Sequence, residues 1–287
     1  MTDAALPATT PAVRRRRTRP QWLTLPVIIG IAIIAFWVIV AVTVPLWAPY
    51  DPLMIAGRRL QPPSMAHWLG TDALGRDVLV RTLYGARYSL PIAVIVVAVA
   101  VGIGSALGAI AGYLGGLVDS VIMRFVDVTL AFPPILLAMA VTAALGPGLD
   151  NAAIAMVAVS WPVYARLMRA QVLSLRGREH VEAAIAAGAS RPRVLIRHIL
   201  PLAWSPTLVN ATMDLGQIVL LAASLSFIGL GALPPTPEWG QMISEGAIHF
   251  YSWWIAFGPG MAILSMVLGF SFVGDGLRDL FDPRSGT

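Results

Sequence analysis

Asn210, Asp214 and Gln217 recur at i, i+4 and i+7, so a helix would carry one acid between two amides on a single face. The run around them, 208–231, is otherwise apolar. An ionisable group inside such a run turns to a cavity or a partner, because hydrocarbon penalises charge. Two chemistries fit. The acid can line a path and meet a cationic substrate such as a peptide amino terminus, or it can make a hydrogen bond that joins two helices. A second polar set stands just upstream. His180–Pro201, HVEAAIAAGASRPRVLIRHILP, carries Glu182, Arg191, Arg193, Arg197 and His198 between long apolar runs. A segment so charged is excluded from hydrocarbon and must be exposed between two spans. Its residue types suit docking of another protein rather than bond chemistry.

Bond chemistry has no constellation to stand on. There is no lysine, so the phosphate-cradling G-x-x-x-x-G-K-[ST] loop is absent and ATP hydrolysis by that route is excluded. Neither H-E-x-x-H nor the G-x-S-x-G nucleophile elbow occurs. His67, His180, His198 and His249 are scattered and read as interfacial rather than metal-ligating. The lack of cysteine excludes disulfides, thiolate catalysis and Cys-ligated metal. No catalytic residue, metal site or cofactor is expected in this chain. A basic balance of +5, all arginine, does not suggest nucleic acid, since the arginines mark span ends instead of forming one patch.

The elements that must position these residues are membrane spans. The 287 residues are 57% hydrophobic and only 12% charged, against about 25% in a soluble domain. Several apolar runs exceed the roughly 18–20 residues a helix needs to cross a bilayer. The fold class expected is an all-α polytopic membrane protein with six transmembrane helices. Residues 1–24 read as a disordered basic tail, and Arg14–Arg17 with Arg19 place it in the cytoplasm. Residues 25–48 form the first span, too long for the core of a signal peptide. Residues 49–87 form an extracytoplasmic loop, whose stretch 72–88 has the spacing of an amphipathic helix lying along the interface. Residues 88–275 hold the other five spans, with a loop at 176–205, and 276–287 return to the cytoplasm as a tail.

Within that core, Ala100, Gly104, Gly108, Gly112 and Gly116 recur every four residues and predict close packing of one helix on a neighbour. The third span is expected over 127–145, kinked at Pro133-Pro134, and the fourth from 151. Arg166, Arg169, Arg176 and Arg178 at its inner end can snorkel to headgroups. A fifth span follows over 208–231, then an outer loop over 233–249, and a sixth span over 253–273 behind an aromatic belt. In the charged island, 178–189 is a good helix former. Val181, Ala184, Ile185 and Gly188 share one narrow face that a cleft on a soluble partner could receive. Gly188 permits a sharp turn, Ser190 can cap the next helix, and Pro201 ends it. Spacing alone leaves this open against an ordinary amphipathic interfacial helix.

The island resembles the EAA loop of ABC importer membrane subunits. Glu182-Ala183-Ala184, then Gly188, then Leu200-Pro201 match E-A-A, three residues, G, and a terminal I-x-L-P, with His198 at the isoleucine position and Ile199 one place later. HWLGTDALGRDVLVRTLYGARYSL from His67, SLSFIGLGALPPTPEWGQMISEG from Ser224 and GDGLRDLFDPR from Gly274 resemble the dipeptide, oligopeptide and nickel permeases of that group. The resemblance runs from His67 to Arg284. It implies a type I ABC importer permease fold, the second (C-type) permease of a pair, in a bacterial inner membrane with both termini cytoplasmic. It implies a partner permease making a heterodimer, two cytoplasmic ATPases that carry the ATP and Mg, an extracytoplasmic substrate-binding protein, and surrounding lipid. Glu182, Ala183, Ala184, Gly188 and Ala189 would dock the ATPase. Asn210, Asp214 and Gln217 would line the translocation pathway. One departure stands out: relatives often read L-L-E-A-S-L-S-F where this chain has Ala222 at the acidic position, and Asp214 is a candidate substitute. The implied cargo is a di- or oligopeptide, with nickel or another small solute as the alternative. A self-contained proton-coupled transporter is the rival class; it would need its own coupling groups and usually internal repeats, and none is seen.

Overall fold

The computed structural model describes residues 24–281. The tail arginines 14–17 and 19, and the final residues of GDGLRDLFDPR, lie outside them. The first helix, α1 (Leu25–Trp47), starts with a proline at its first turn and is apolar on all sides. It packs on the last helix, α10 (Trp254–Phe281), through a seam of small residues. A Cβ on Gly30 would meet the Gly269 carbonyl at 2.7 Å, so the two backbones touch. Trp37 donates from Nε1 to Ser265 Oγ across the same seam at 2.8 Å.

The loop that follows is folded onto the helices. Asp72 Oδ1 accepts from the backbone N–H of both Leu74 and Arg76, at 2.8 and 2.9 Å. That local turn competes with helix, so no interfacial helix forms over 72–77. Asp77 then caps α2 (Val78–Leu114) by accepting from Val80 N. The separate amphipathic segment expected at 72–88 is instead the start of one 37-residue helix.

The small-residue stripe of α2 lies against α5 (Leu149–Leu175). A Cβ at Gly104 would strike Tyr164, one at Gly108 the carbonyl of Ala165, and one at Gly112 Val172. Gly116 does not belong to the stripe. A Cβ there would meet nothing within 4 Å, and its φ of +57° with that of Gly115 at +67° turns the chain into α3.

Helices α3 (Gly116–Leu130) and α4 (Pro134–Leu145) meet at 94°, a sharp break rather than the kink expected. Pro133 and Pro134 force it, since neither can donate to the preceding turn. The fifth span is longer than expected. It begins as α7 (Arg191–Val194), widens into a π-turn at Leu195–Ile199, and continues as α8 (Leu200–Phe227). Pro201 therefore does not end a helix; it sits in the first turn of α8, where the wide turn absorbs its missing donor. The outer loop 233–249 contains a further helix, α9 (Trp239–Ile248).

Among the described residues four helical stretches are long and apolar enough to cross a membrane: α1, α2, α7 through α8, and α10. The bent pair α3–α4 makes a fifth. A sixth span is reached only with α5, which has 27 residues but does not meet the same hydropathy standard. Its position explains this. It runs between α2, α3, α4 and α8, and its polar side chains find protein partners rather than lipid.

Candidate functional site

The charged island forms a helical corner at one end of the bundle. α6 (Glu179–Ala186) is followed by Gly188 at φ +83°. Gly188 N donates to Ile185 O and Ala189 N to Ala184 O, the paired bonds of a glycine-terminated helix. Val181, fully buried, and Val194 anchor the corner to Met168, Val172 and Ile199 beneath it. Val181 therefore does not share an outward face with Ile185, which is 53% exposed. The outward surface is Glu182, Ala183, Ile185, Ala186 and Gly188, with Ala184 and Ala189 half-buried. Ser190 precedes α7 without a side-chain cap, so Pro192 and the extended backbone of Ser190 start that helix instead.

Ion pairs brace the supports of this corner. Arg169 grips Asp119 of α3 with two bonds, its Nη2 donating at 2.6 Å. Arg166 donates to Asp127 at 2.7 Å. Arg176 donates to the carbonyl of Gly112 at 3.2 Å, near the end of α2. Three of the four arginines expected to reach for headgroups, Arg166, Arg169 and Arg176, thus reach α2 or α3.

Deeper in the bundle, Asp214 Oδ2 accepts from the Tyr164 hydroxyl at 2.7 Å and from Asn210 Nδ2 at 3.2 Å. Asp214 and Gln217 line a cavity of about 430 Å³ bounded by the α3–α4 bend, α5 and α8. Asn210 lines a second cavity of about 410 Å³ that reaches toward Arg278 and Phe281. Ala222 is only 2% exposed and packs within the core. It does not line the cavity that Asp214 and Gln217 line.

At the opposite end sits a cluster of four charges. Arg81, 1% exposed, lies 3.1 Å from Asp72 and 3.7 Å from Glu245. Arg76 pairs with the same two acids, with its Nη2 3.3 Å from Glu245. His67 Nδ1 and Asp77 Oδ2 are 2.8 Å apart nearby. Trp239 Nε1 donates to Thr82 O, and Ser89 donates to the buried Glu238. These contacts join the 49–77 loop, α2 and α9.

The family described as "Binding-protein-dependent transport system inner membrane component" matches residues 104–286, well over half of the chain. The chain belongs to this family. Curated relatives extend the match. The dipeptide transport system permease protein DppC of Alkalihalophilus pseudofirmus is 45% identical over 90% of this chain and 85% of its own length. The probable D,D-dipeptide transport system permease protein DdpC of Escherichia coli is 44% identical over 88% and 86%. The glutathione transport system permease protein GsiD of Pectobacterium atrosepticum is 41% identical over 98% and 97%. Among solved structures, a chain of the MetNI methionine ABC transporter in an inward-facing form superposes with a TM-score of 0.58. It is 21% identical, and 71% of this chain and 97% of that one are covered, which establishes the shared fold.

The protein is thus a multi-pass permease subunit of an ABC importer, with the type I permease fold. Of the permease residues singled out by spacing, the structure brings Asn210 and Asp214 into one hydrogen-bonded set and puts Gln217 on the same cavity wall as Asp214. Tyr164 was missed. No spacing pattern in α5 singles it out, and only the packing of α5 on α8 reveals its contact with Asp214. The charge cluster was missed too. Arg76 and Arg81 fall within the 49–87 stretch expected as an extracytoplasmic loop, but nothing in its spacing pointed to Glu245, 169 residues beyond Arg76.

Proposed function

We propose that this permease subunit carries di- or oligopeptides inward and couples their passage to ATP hydrolysis on partner subunits. The carrying observation is the identity of 41–45% over most of the chain to permeases named for dipeptide and glutathione transport. A second, similar permease completes the path as a heterodimer. Two cytoplasmic ATPases, with their ATP and Mg, bind beneath, and an extracytoplasmic binding protein delivers the cargo above. The subunit itself hydrolyses nothing and holds no cofactor. Both termini and the 176–205 corner face the cytoplasm, and lipid surrounds the spans.

The corner is the ATPase contact. Ala183, Ala184, Gly188 and Ala189 present small groups around a tight turn beside the carboxylate of Glu182, which lets a groove on the ATPase close on the backbone. The buried Val181 and Val194 and the braces Arg169–Asp119 and Arg166–Asp127 support this reading, because a force applied to the corner then passes into rigid helices rather than a loose loop. Two arrangements of the spans, exchanged by ATP-driven closure, fit this mechanics. Asn210, Asp214 and Gln217 belong to the pathway wall.

The test uses Gly188→Val in the complete transporter. A Cβ there meets nothing within 4 Å inside this chain, so the subunit is expected to insert normally apart from local strain at its positive φ. Uptake and substrate-stimulated ATP hydrolysis should fall by about tenfold or more, as for loss of an interface hot spot. Wild-type uptake should stop with vanadate, which blocks the partner ATPases. Normal uptake by the variant would remove the docking assignment. Vanadate-resistant uptake would point to a self-contained carrier.

A further inference from the structure

Asp214 is the one ionisable residue of α8, a helix of 28 residues. It stands near the middle, about 20 Å from either end at 1.5 Å per residue. Two neutral donors, Tyr164 and Asn210, both bond its Oδ2, while Oδ1 carries neither bond. Among the described residues no cationic side chain pairs with it; the arginines of α5 nearest in sequence to Tyr164 are taken up by Asp119 and Asp127. The neutral donors fix the carboxyl in place without cancelling its charge. The wall it belongs to is otherwise mostly apolar, with Val159, Val163, Ile218 and Leu221 among its members and Ser160, Gln217 and Ser224 as its other polar groups. At about 430 Å³ the cavity falls in the range of small-molecule sites, roughly 300–1,000 Å³.

Resting on the reading of this permease as a peptide carrier, we propose that Asp214 is a subsite on the cavity wall for the ammonium group at the amino terminus of a short peptide. An uncompensated carboxylate in a low-dielectric wall attracts one cation strongly. A primary ammonium suits it, since it needs only one carboxylate to pair with, whereas Ca²⁺ or Mg²⁺ bound by a single carboxylate would have to keep most of its shell as water. The apolar remainder accepts side chains of many shapes and leaves the amino terminus as the common handle. Tyr164 is a positioning residue that holds the carboxylate at the cavity wall.

The experiment uses the complete transporter with its binding protein in proteoliposomes, and follows initial uptake of radiolabelled dialanine together with ATP hydrolysis. Asp214→Asn should lower maximal uptake about tenfold, the worth of one charge-assisted bond, while binding-protein-stimulated ATP hydrolysis and the half-saturating dialanine concentration stay within about twofold. Asp214→Glu should restore most of the uptake, and Tyr164→Phe should fall between wild type and Asp214→Asn. Wild-type uptake by Asp214→Asn would overturn the subsite and leave a packing bond. So would loss of the assembled complex in Asp214→Asn, or failure of Asp214→Glu to rescue, since either marks a contact to the partner permease. If the wild-type transporter moves another solute but no dialanine, the peptide reading itself fails, an outcome read without any variant.

Discussion

Glu245 shows how burial sets the behaviour of single groups in this permease. Loss of water pushes its carboxyl above the usual 4.5, the neighbouring Asp72 adds to the rise, and Arg76 opposes it. Between 4.5 and the raised value the folded state holds more protons than the unfolded one. Stability from this group therefore increases as pH falls through the raised value and levels off below 4.5. Glu245→Gln has nothing to titrate there. Unfolding temperatures in detergent should show the wild type gaining on Glu245→Gln as the medium is acidified from neutral toward 4.5. The opposite slope would mean that the two arginines favour the ionised form. At Gly188 a different constraint rules: the positive φ that closes α6 favours glycine even though space is open around it.

Among the elements, the contact of α2 with α5 is the frame on which both candidate sites depend. Gly104, Gly108 and Gly112 bring the two backbones together, and α5 in turn positions Tyr164 for Asp214 and Arg169 for Asp119. Gly108→Val would push a branched side chain into the backbone of Ala165. It should cost about 3 kcal/mol or more, at the upper end of overpacking effects, and lower the yield of folded protein recovered from membranes. Gly102→Val is the control on the same helix. A Cβ at Gly102 meets nothing within 4 Å, and this variant should be recovered at close to the wild-type level. Equal losses in both would mean that helix propensity, not packing, limits the yield.

Over the whole molecule, the two ends are built differently. The corner end carries ion pairs between helices, with the outward face of α6 exposed. The other end folds a long loop against α2 and α9 around buried charges. Asp72 is the hub of that end: it pairs with both arginines and holds the turn before α2. Asp72→Asn strands two buried guanidinium groups with one carboxylate. Removing one partner of a buried pair costs about 3–5 kcal/mol. Trypsin should then cut the exposed Arg58 and Arg59 faster in the variant, without a change at the corner end. Unchanged cleavage would show that the loop is held by its apolar and backbone contacts alone.

Local and distant causes divide this fold between them. Apolar run length and composition determined the helical membrane class, and the glycine period determined that α2 packs closely on a neighbour. The E-A-A, G and L-P spacing determined where the corner lies, because each depends on residues close in sequence. Tertiary structure decided which neighbour α2 meets, that Val181 turns inward, and that Pro201 is bridged by a wide turn. It also decided that Asp214 bonds Tyr164 and that Glu245 closes a charge cluster with Asp72, Arg76 and Arg81. Those partners are brought together by packing between helices far apart in the chain, and no local period records which helix will lie beside which.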